Sequence, residues 1–261
     1  MTLTVGEVAE LLILRKLKMF KNHYILKIQS SIKEKGLWET CCIYRKEISY
    51  RVMKKWGLYL DARRDQRICG IDMIKYIPAV DREGRGTTGT ESSPYCFLEK
   101  MYDGAVFTSE DVLIDVGCGY GRVLAFLEDT GFPGKLVGVE LNPAVSELCQ
   151  SWITRYDNIS LIEGNAFDLH YDDYTVLNMN RPMIFGFFQS FIQKIESELT
   201  HPIRLFYSWD GETGNYMKDR PGWRLIKREL VWKVKGIPVS RYPQRYSVWE
   251  FTPVQGREDV F

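Results

Sequence analysis

Two acids and three glycines carry the first chemical signal in this 261-residue chain. In Asp111-Val-Leu-Ile-Asp115-Val-Gly117-Cys118-Gly119-Tyr120-Gly121-Arg122 an apolar run contains a carboxylate near its end and then turns through three alternating glycines. Glycine lets bare backbone approach a ligand, and a turn of this kind between a strand and a helix sets amide donors beside a helix N-terminus. The dinucleotide fingerprint asks for glycines at positions one, three and six of such a turn. Here the sixth residue is Arg122, so the third glycine comes one residue early. Taken alone, the pattern also fits a structural turn in an unrelated α/β fold. The second acid is Glu140, twenty-five residues after Asp115 and at the end of the next apolar run. A carboxylate there can accept hydrogen bonds from both hydroxyls of a ribose. Asp115, two residues before the first glycine, can meet a cationic ligand.

Short β-rich runs are expected to hold these groups: Val112–Asp115, Lys135–Glu140, Ile159–Glu163, Thr175–Asn178 and Ile203–Trp209. Helical patterns such as Gly121–Leu127, Pro143–Tyr156 and Phe185–Leu199 lie between them. Strands alternating with helices imply right-handed crossovers and a mostly parallel sheet. Leu225–Lys233 and Arg245–Phe251, separated by a stretch with Gly236, Pro238 and Pro243, predict an antiparallel hairpin at the end of that sheet. Upstream, Val5, Val8, Leu12, Leu14, Leu17, Phe20 and Tyr24 recur at helical spacing behind a Thr4–Glu7 capping box. Gly36 breaks that pattern, and a second, basic helix is expected from about Glu39 to Leu60. Residues 80–94 are rich in Gly, Thr and Ser and read as a loop that is either functional or mobile. The chain therefore divides into a basic helical segment (1–79), the loop (80–94) and an α/β domain (95–261).

The turn, its acid and Glu140 together resemble the class I S-adenosylmethionine-dependent methyltransferases, over about residues 95–253. The resemblance implies a Rossmann-like, doubly wound, seven-stranded, mostly parallel sheet closed by a C-terminal antiparallel hairpin, here with an N-terminal helical extension. It implies S-adenosyl-L-methionine as cofactor, S-adenosyl-L-homocysteine as product and no metal. Asp115, Gly117, Cys118, Gly119 and Gly121 would form the loop under the methionine portion and ribose. Glu140 would hold the ribose hydroxyls, with Leu141 and Asn142 beside the adenine. Asn165, Ala166 and Phe167 follow the third strand, where the family usually has an Asp near the adenine amino group; an amide can still pair there. Asn178-Met-Asn180-Arg181-Pro182 is similar to the Asn-Pro-containing loop that some members place next to the transferring methyl. That makes Asn178 a cofactor contact and Asn180 a catalytic candidate. An Arg sits between Asn and Pro, and the Asp/Asn-Pro-Pro-aromatic tetrad of enzymes that methylate base amino groups is absent. Tyr95, in a region that packs over the cofactor in similar enzymes, is a second catalytic candidate, with a core tyrosine as the alternative. Tyr207, Trp209 and Asp210 end the fifth strand at the edge where substrate lies, so they are the substrate candidates. Arg122 either reaches the cofactor carboxylate or is a solvated first-turn arginine, and Cys118 is read as merely small.

Composition bounds the rest. At 45% hydrophobic and 26% charged residues the chain is globular, and a formal net charge of +1 gives no reason to expect a polyanion partner for the chain as a whole. The charge is unevenly spread. Residues 1–64 hold fourteen Lys and Arg against six Asp and Glu, a local net of +8 that leaves −7 on the remainder. Six cysteines show no Cys-x-x-Cys pair and no Cys/His metal spacing, and no Cys-x-x-x-Cys-x-x-Cys cluster for radical chemistry exists. Reduced thiols in a cytoplasmic protein are the expectation. Met1–Glu10 lacks the basic start of a signal peptide, and the apolar run Leu11–Leu14 is far too short to cross a membrane. His23, His170 and His201 stand in unrelated contexts, and none reads as a general base. The expected activity is methyl transfer to an O, N or C nucleophile of a small molecule. One alternative is an RNA or protein methyltransferase that uses the basic segment as an electrostatic arm. Another is a cofactor-binding protein without catalysis. A homodimer through the N-terminal helices is a further expectation.

Overall fold

The computed structural model describes residues 25–79, 84, 86–211 and 213–254. The Thr4–Glu7 capping box and the helix expected from Val5 lie outside the described residues up to position 24, as do residues 80–83 and 85 of the expected loop. By its contacts the chain forms two compact units, residues 1–53 and 54–261. Residues 25–35 are helical, Gly36 interrupts at φ 82°, and α1 follows over Leu37–Ile68.

α1 outruns the helix expected from the sequence by a further two turns at its C-terminal end. The reason is chemical. Along its last part the buried positions are Gly57, Asp61, Asp65 and Ile68, one helical stripe. Two of those four are carboxylates, so the inward face carries no apolar period to read.

The α/β unit contains α2 (Tyr95–Met101), β1 (Val112–Val116), α3 (Arg122–Asp129), β2 (Lys135–Glu140), α4 (Pro143–Ile153), β3 (Ile159–Glu163), β4 (Val176–Asn180), α5 (Phe185–Glu198), β5 (Ile203–Ser208) and α6 (Thr213–Lys218). It ends with β6 (Trp223–Val231), the short strands β7 (Lys233–Val234) and β8 (Ile237–Pro238), and β9 (Gln244–Phe251). One seven-stranded sheet runs β3-β2-β1-β4-β5-β9-β6. The first five strands are parallel, and β9 is antiparallel to both of its neighbours. This is the sheet and closing hairpin that the sequence predicts. The Gly/Pro stretch between β6 and β9 also folds its own small hairpin, β7–β8, which the sequence did not indicate.

Successive strand residues serve opposite faces, as the two-residue period requires. Val176, Phe206 and Tyr246 join Phe97, Leu124 and Trp152 in one core. Leu177, Leu205, Tyr207 and Trp249 join Phe188, Phe191 and Ile192 in the other. The strand order reverses at β1, which has β2 on one side and β4 on the other. In open α/β sheets the crevice beyond the strand ends at such a reversal is where ligands bind. Asp115 and Asn178 are register partners across β1 and β4 beside that crevice, and Glu140 is the last residue of β2.

Candidate functional site

The glycine turn is stitched to the strand beside it. Gly117 and Cys118 donate their amides to Val139 O at 2.9 and 3.0 Å, and Gly119 donates to Glu140 Oε2 at 2.9 Å. Asn142 donates its amide to Glu140 Oε1 at 2.8 Å, so each carboxylate oxygen of Glu140 accepts a backbone amide. Gly119 has φ 58°, and a β-carbon there would stand 2.7 Å from Thr90 Cγ2. Only a residue without a side chain satisfies both demands. Burial raises the pKa of Glu140, and the amides of Asn142, Gly119 and Leu141 oppose that rise.

Behind the turn lies a buried polar relay. The Tyr102 hydroxyl donates to Asn178 Oδ1 at 2.8 Å, and Asn178 Nδ2 donates to Asp115 Oδ1 at 2.6 Å. Burial pushes the Asp115 carboxyl up to about 7, against the Asn178 hydrogen bond and with help from the charge of Glu140. A carboxyl titrating there gains from any cation that comes to rest beside it.

One cleft gathers Asp115, Gly117, Cys118, Gly119, Glu140, Leu141, Asn165, Ala166, Phe167 and Asn180 from the residues singled out in the sequence. Asn165 accepts the amide of Phe167 at 3.1 Å and so starts the 3-10 turn that forms this edge. Asn180 is engaged at both ends: its Nδ2 donates to Ser93 Oγ at 2.8 Å, and its Oδ1 accepts from Ser208 Oγ at 2.7 Å.

The other named residues stand elsewhere. Gly121 caps α3 at φ 85° and faces Cys149 and Trp152 in the core. Asn142 caps α4 by accepting the amide of Ala144 at 3.1 Å. Asn178 is one layer behind the cleft, in the relay. Tyr95 opens α2 as a buried ring, with the Arg64 and Arg122 guanidinium carbons 4.4 and 5.3 Å from its centroid. Tyr207 and Trp209 line a second depression beyond the cleft. Asp210 is fully buried and receives Arg228 Nε at 2.8 Å.

Arg122 lines the cleft, and the structure overturns the solvated one of its two sequence readings. It is 4% exposed rather than solvated. Its Nε and Nη2 donate to the two oxygens of Asp65 at 3.1 and 2.5 Å, and its Nη1 donates to Ser93 O at 3.3 Å. The Asp65 carboxylate on α1, itself fully buried, thus fixes the arginine that fixes the segment before α2.

That segment, whose loop the sequence expected to enclose a pocket, supplies a wall of the cleft through residues the sequence did not single out. Thr87, Thr88, Gly89, Thr90, Glu91, Ser92 and Ser93 line the cleft opposite the glycine turn. They are strapped to the loop after β4: Thr88 donates its amide to Pro182 O at 3.2 Å and its hydroxyl to Arg181 O at 2.7 Å, while Ile184 donates its amide to Gly86 O at 2.8 Å. Polar Gly/Thr/Ser composition marks a loop but names no partner, so the sequence flagged the segment without locating it.

Residues 113–188 match a family described as a methyltransferase domain. A protein-lysine N-methyltransferase of Saccharolobus islandicus (strain REY15A) is 27% identical over 92 residues, which cover 33% of this chain and 56% of that protein. The match therefore spans just over half the length of that relative. Among solved structures, an RNA methyltransferase from Salinibacter ruber in complex with S-adenosyl-L-homocysteine aligns at 18% identity over 65% of this chain and 99% of its own, with a TM-score of 0.46. A SAM-dependent methyltransferase from Aquifex aeolicus aligns at 14% identity over 60% of this chain and 88% of its own, with a TM-score of 0.44. The matched stretch coincides with β1 to α5 and contains the turn, Glu140 and Asn178-Met-Asn180-Arg181-Pro182. Residues 113–188 are thus similar in sequence to a methyltransferase domain, and they lie on the sheet whose order and reversal point are described above.

Proposed function

We propose that the cleft binds S-adenosylmethionine and that the chain transfers its methyl group to a small-molecule acceptor. The observation that carries this reading is the pair of buried carboxylates, Asp115 and Glu140, beside a glycine turn in one cleft. The donor set suits the ligand. The Glu140 carboxylate takes the amides of Gly119 and Asn142 on its two oxygens, with Leu141 beside them, and has lone-pair capacity left for a ribose hydroxyl. Asp115 offers negative charge to a cationic group, and the Asn165–Phe167 edge offers an amide and an aromatic ring to a purine. When bound, S-adenosylmethionine supplies a methyl that a nucleophile's lone pair takes in one in-line displacement, the C–S bonding pair staying on sulfur in S-adenosylhomocysteine.

The remaining work is alignment and exclusion of water. The strap 87–93 walls the cleft opposite the turn. Asn180, held between Ser93 and Ser208, positions the strap against the ends of β4 and β5. Both ends of its amide are occupied, which suits a positioning residue rather than one that takes a proton.

Isothermal calorimetry with S-adenosylhomocysteine tests the donor site. One-to-one binding that Glu140→Ala weakens tenfold or more is expected, a loss of about 1.4 kcal/mol; equal affinity in the variant would sink the ribose assignment. A second reading is a protein or RNA acceptor recruited by the basic segment; the S. islandicus relative is a protein-lysine N-methyltransferase. An RNA acceptor would show affinity that falls steeply with salt, whereas a small uncharged or singly charged acceptor would not.

A further inference from the structure

Past the ends of β4 and β5 a second depression adjoins the cleft, sharing Met183 with it. Its charge is opposite. Acids line the cleft at Glu91, Asp115 and Glu140, and Arg122, the one guanidinium among the described residues that line it, is paired with Asp65. The second depression is lined by Arg181 and Arg245, with no acid among the described residues that line it. Neither guanidinium has a carboxylate partner among the described residues. Two arginines with no carboxylate partner among the described residues, lining one depression, suit an oxyanion, since planar guanidinium groups match carboxylate and phosphate geometry.

Two further observations point to a ligand. Thr213 is 5% exposed and lines the same depression, yet its hydroxyl has no hydrogen-bond partner among the described residues. A buried hydroxyl left unmatched is unfavourable until something bonds to it. The backbone is also strained on this wall: Arg181 has φ 44° and Trp209 φ 63°, two of the three non-glycine residues with positive φ among those described. Hydrogen bonds hold both. Thr88 Oγ1 donates to Arg181 O at 2.7 Å, and the Trp209 amide donates to Arg245 O at 2.8 Å. Strain that surrounding structure enforces clusters at ligand sites. Trp209, Tyr207 and Phe185 add aromatic walls for a flat body.

We propose that this depression anchors the methyl acceptor, and that the acceptor is a small planar molecule carrying a carboxylate or phosphate, held by Arg181 and Arg245 with the Thr213 hydroxyl as a further partner. The assignment as acceptor site rests on the methyl-donor reading of the adjoining cleft; the oxyanion site itself does not. The test titrates the whole chain with benzoate and with phenyl phosphate, using benzamide as the neutral control, by calorimetry in the presence and absence of S-adenosylhomocysteine. Saturable binding of at least one anion, tenfold or more tighter than benzamide, is expected. The tighter anion names the group. Arg181→Gly, which suits φ 44°, and Arg245→Gln should each weaken that anion tenfold or more while S-adenosylhomocysteine affinity stays unchanged. No saturable binding of either anion, benzamide binding as well as benzoate, or anion affinity retained in both folded variants overturns the proposal. Should Arg245→Gln fail to fold, Thr213→Val replaces it, with a severalfold loss expected. Failure of S-adenosylhomocysteine to bind the wild type would remove the donor reading and leave the anion comparison standing.

Discussion

Asp115 has a measurable signature. Its carboxyl titrates at about 7 because it is buried beside Glu140, so below that pH it carries a proton that a cationic ligand must displace. Affinity for S-adenosylhomocysteine, whose amino group is protonated, should therefore rise as pH increases from 5.5 to about 7 and level off above it, with net proton release on the rising side. Calorimetry in two buffers of different ionisation enthalpy reads both quantities, and Asp115→Asn should remove the slope. Arg122 and Asp65 make a different test. Removing the partner of a buried charge costs about 3–5 kcal/mol where nothing else compensates it, but Asp61 Oδ2 also faces the Arg122 guanidinium, at 3.8 Å from Nη1. Asp65→Asn should therefore cost less than that full loss in urea unfolding, and Asp61→Asn/Asp65→Asn, which removes both carboxylates, should approach it. These two pairs also show what was legible. Asp115 and Glu140 could be read because each sits at the end of an apolar run. Arg122 could not be assigned, because its partner is 57 residues upstream on a helix stripe that carries carboxylates where apolar residues would be expected.

At the scale of elements, Gly121 ties the turn to the core. A β-carbon there would meet Cys149 Sγ and Trp152 Cζ2 at 2.8 Å each, in a backbone with φ 85°. Left-handed backbone costs a substituted residue about 1–2 kcal/mol, and overpacking adds about 1–3 kcal/mol. Gly131 has φ 79° and open space around it. Gly121→Ala should thus lose clearly more stability in urea unfolding than Gly131→Ala, which bears only the backbone term. β2 and β3 were legible to the residue because apolar runs end there in acids. α6 was not, since Thr213–Lys218 is under two turns and carries no period. The strap was half-legible: its composition announced a loop, while its bonds to Arg181 and Pro182 depend on a hairpin-like meeting that no local pattern encodes.

For the molecule as a whole, the charge split takes a different place from the one composition suggested. Lys54–Ile68 belongs with the α/β unit, where Arg64 meets Glu99 and Asp129 at 3.0 and 2.8 Å and Arg67 meets Asp129 at 2.7 Å. Residues 1–53 alone hold ten Lys and Arg against five acids. A chain starting at residue 54 should keep cooperative unfolding and S-adenosylhomocysteine binding. One starting at residue 70 loses Asp61, Asp65, Ile68 and Cys69 from the interior, leaves Arg122 unpaired, and should lose both, as read by circular dichroism melts and calorimetry.

The position of β9 between β5 and β6 bears on how the protein is made. Synthesis delivers β1 to β5 first, and their parallel sheet can form as it emerges. The strand that fills the gap beside β5 arrives last. Until Gln244–Phe251 has left the ribosome, β5 presents an open row of amides and carbonyls, a template for wrong pairing. The Trp209–Arg245 contact is also missing in that interval. A nascent chain can thus hold the glycine turn and Glu140 in place while the arginine-lined wall is still unmade. Competence for a second ligand arrives in one late step, after translation of the last strand rather than during it.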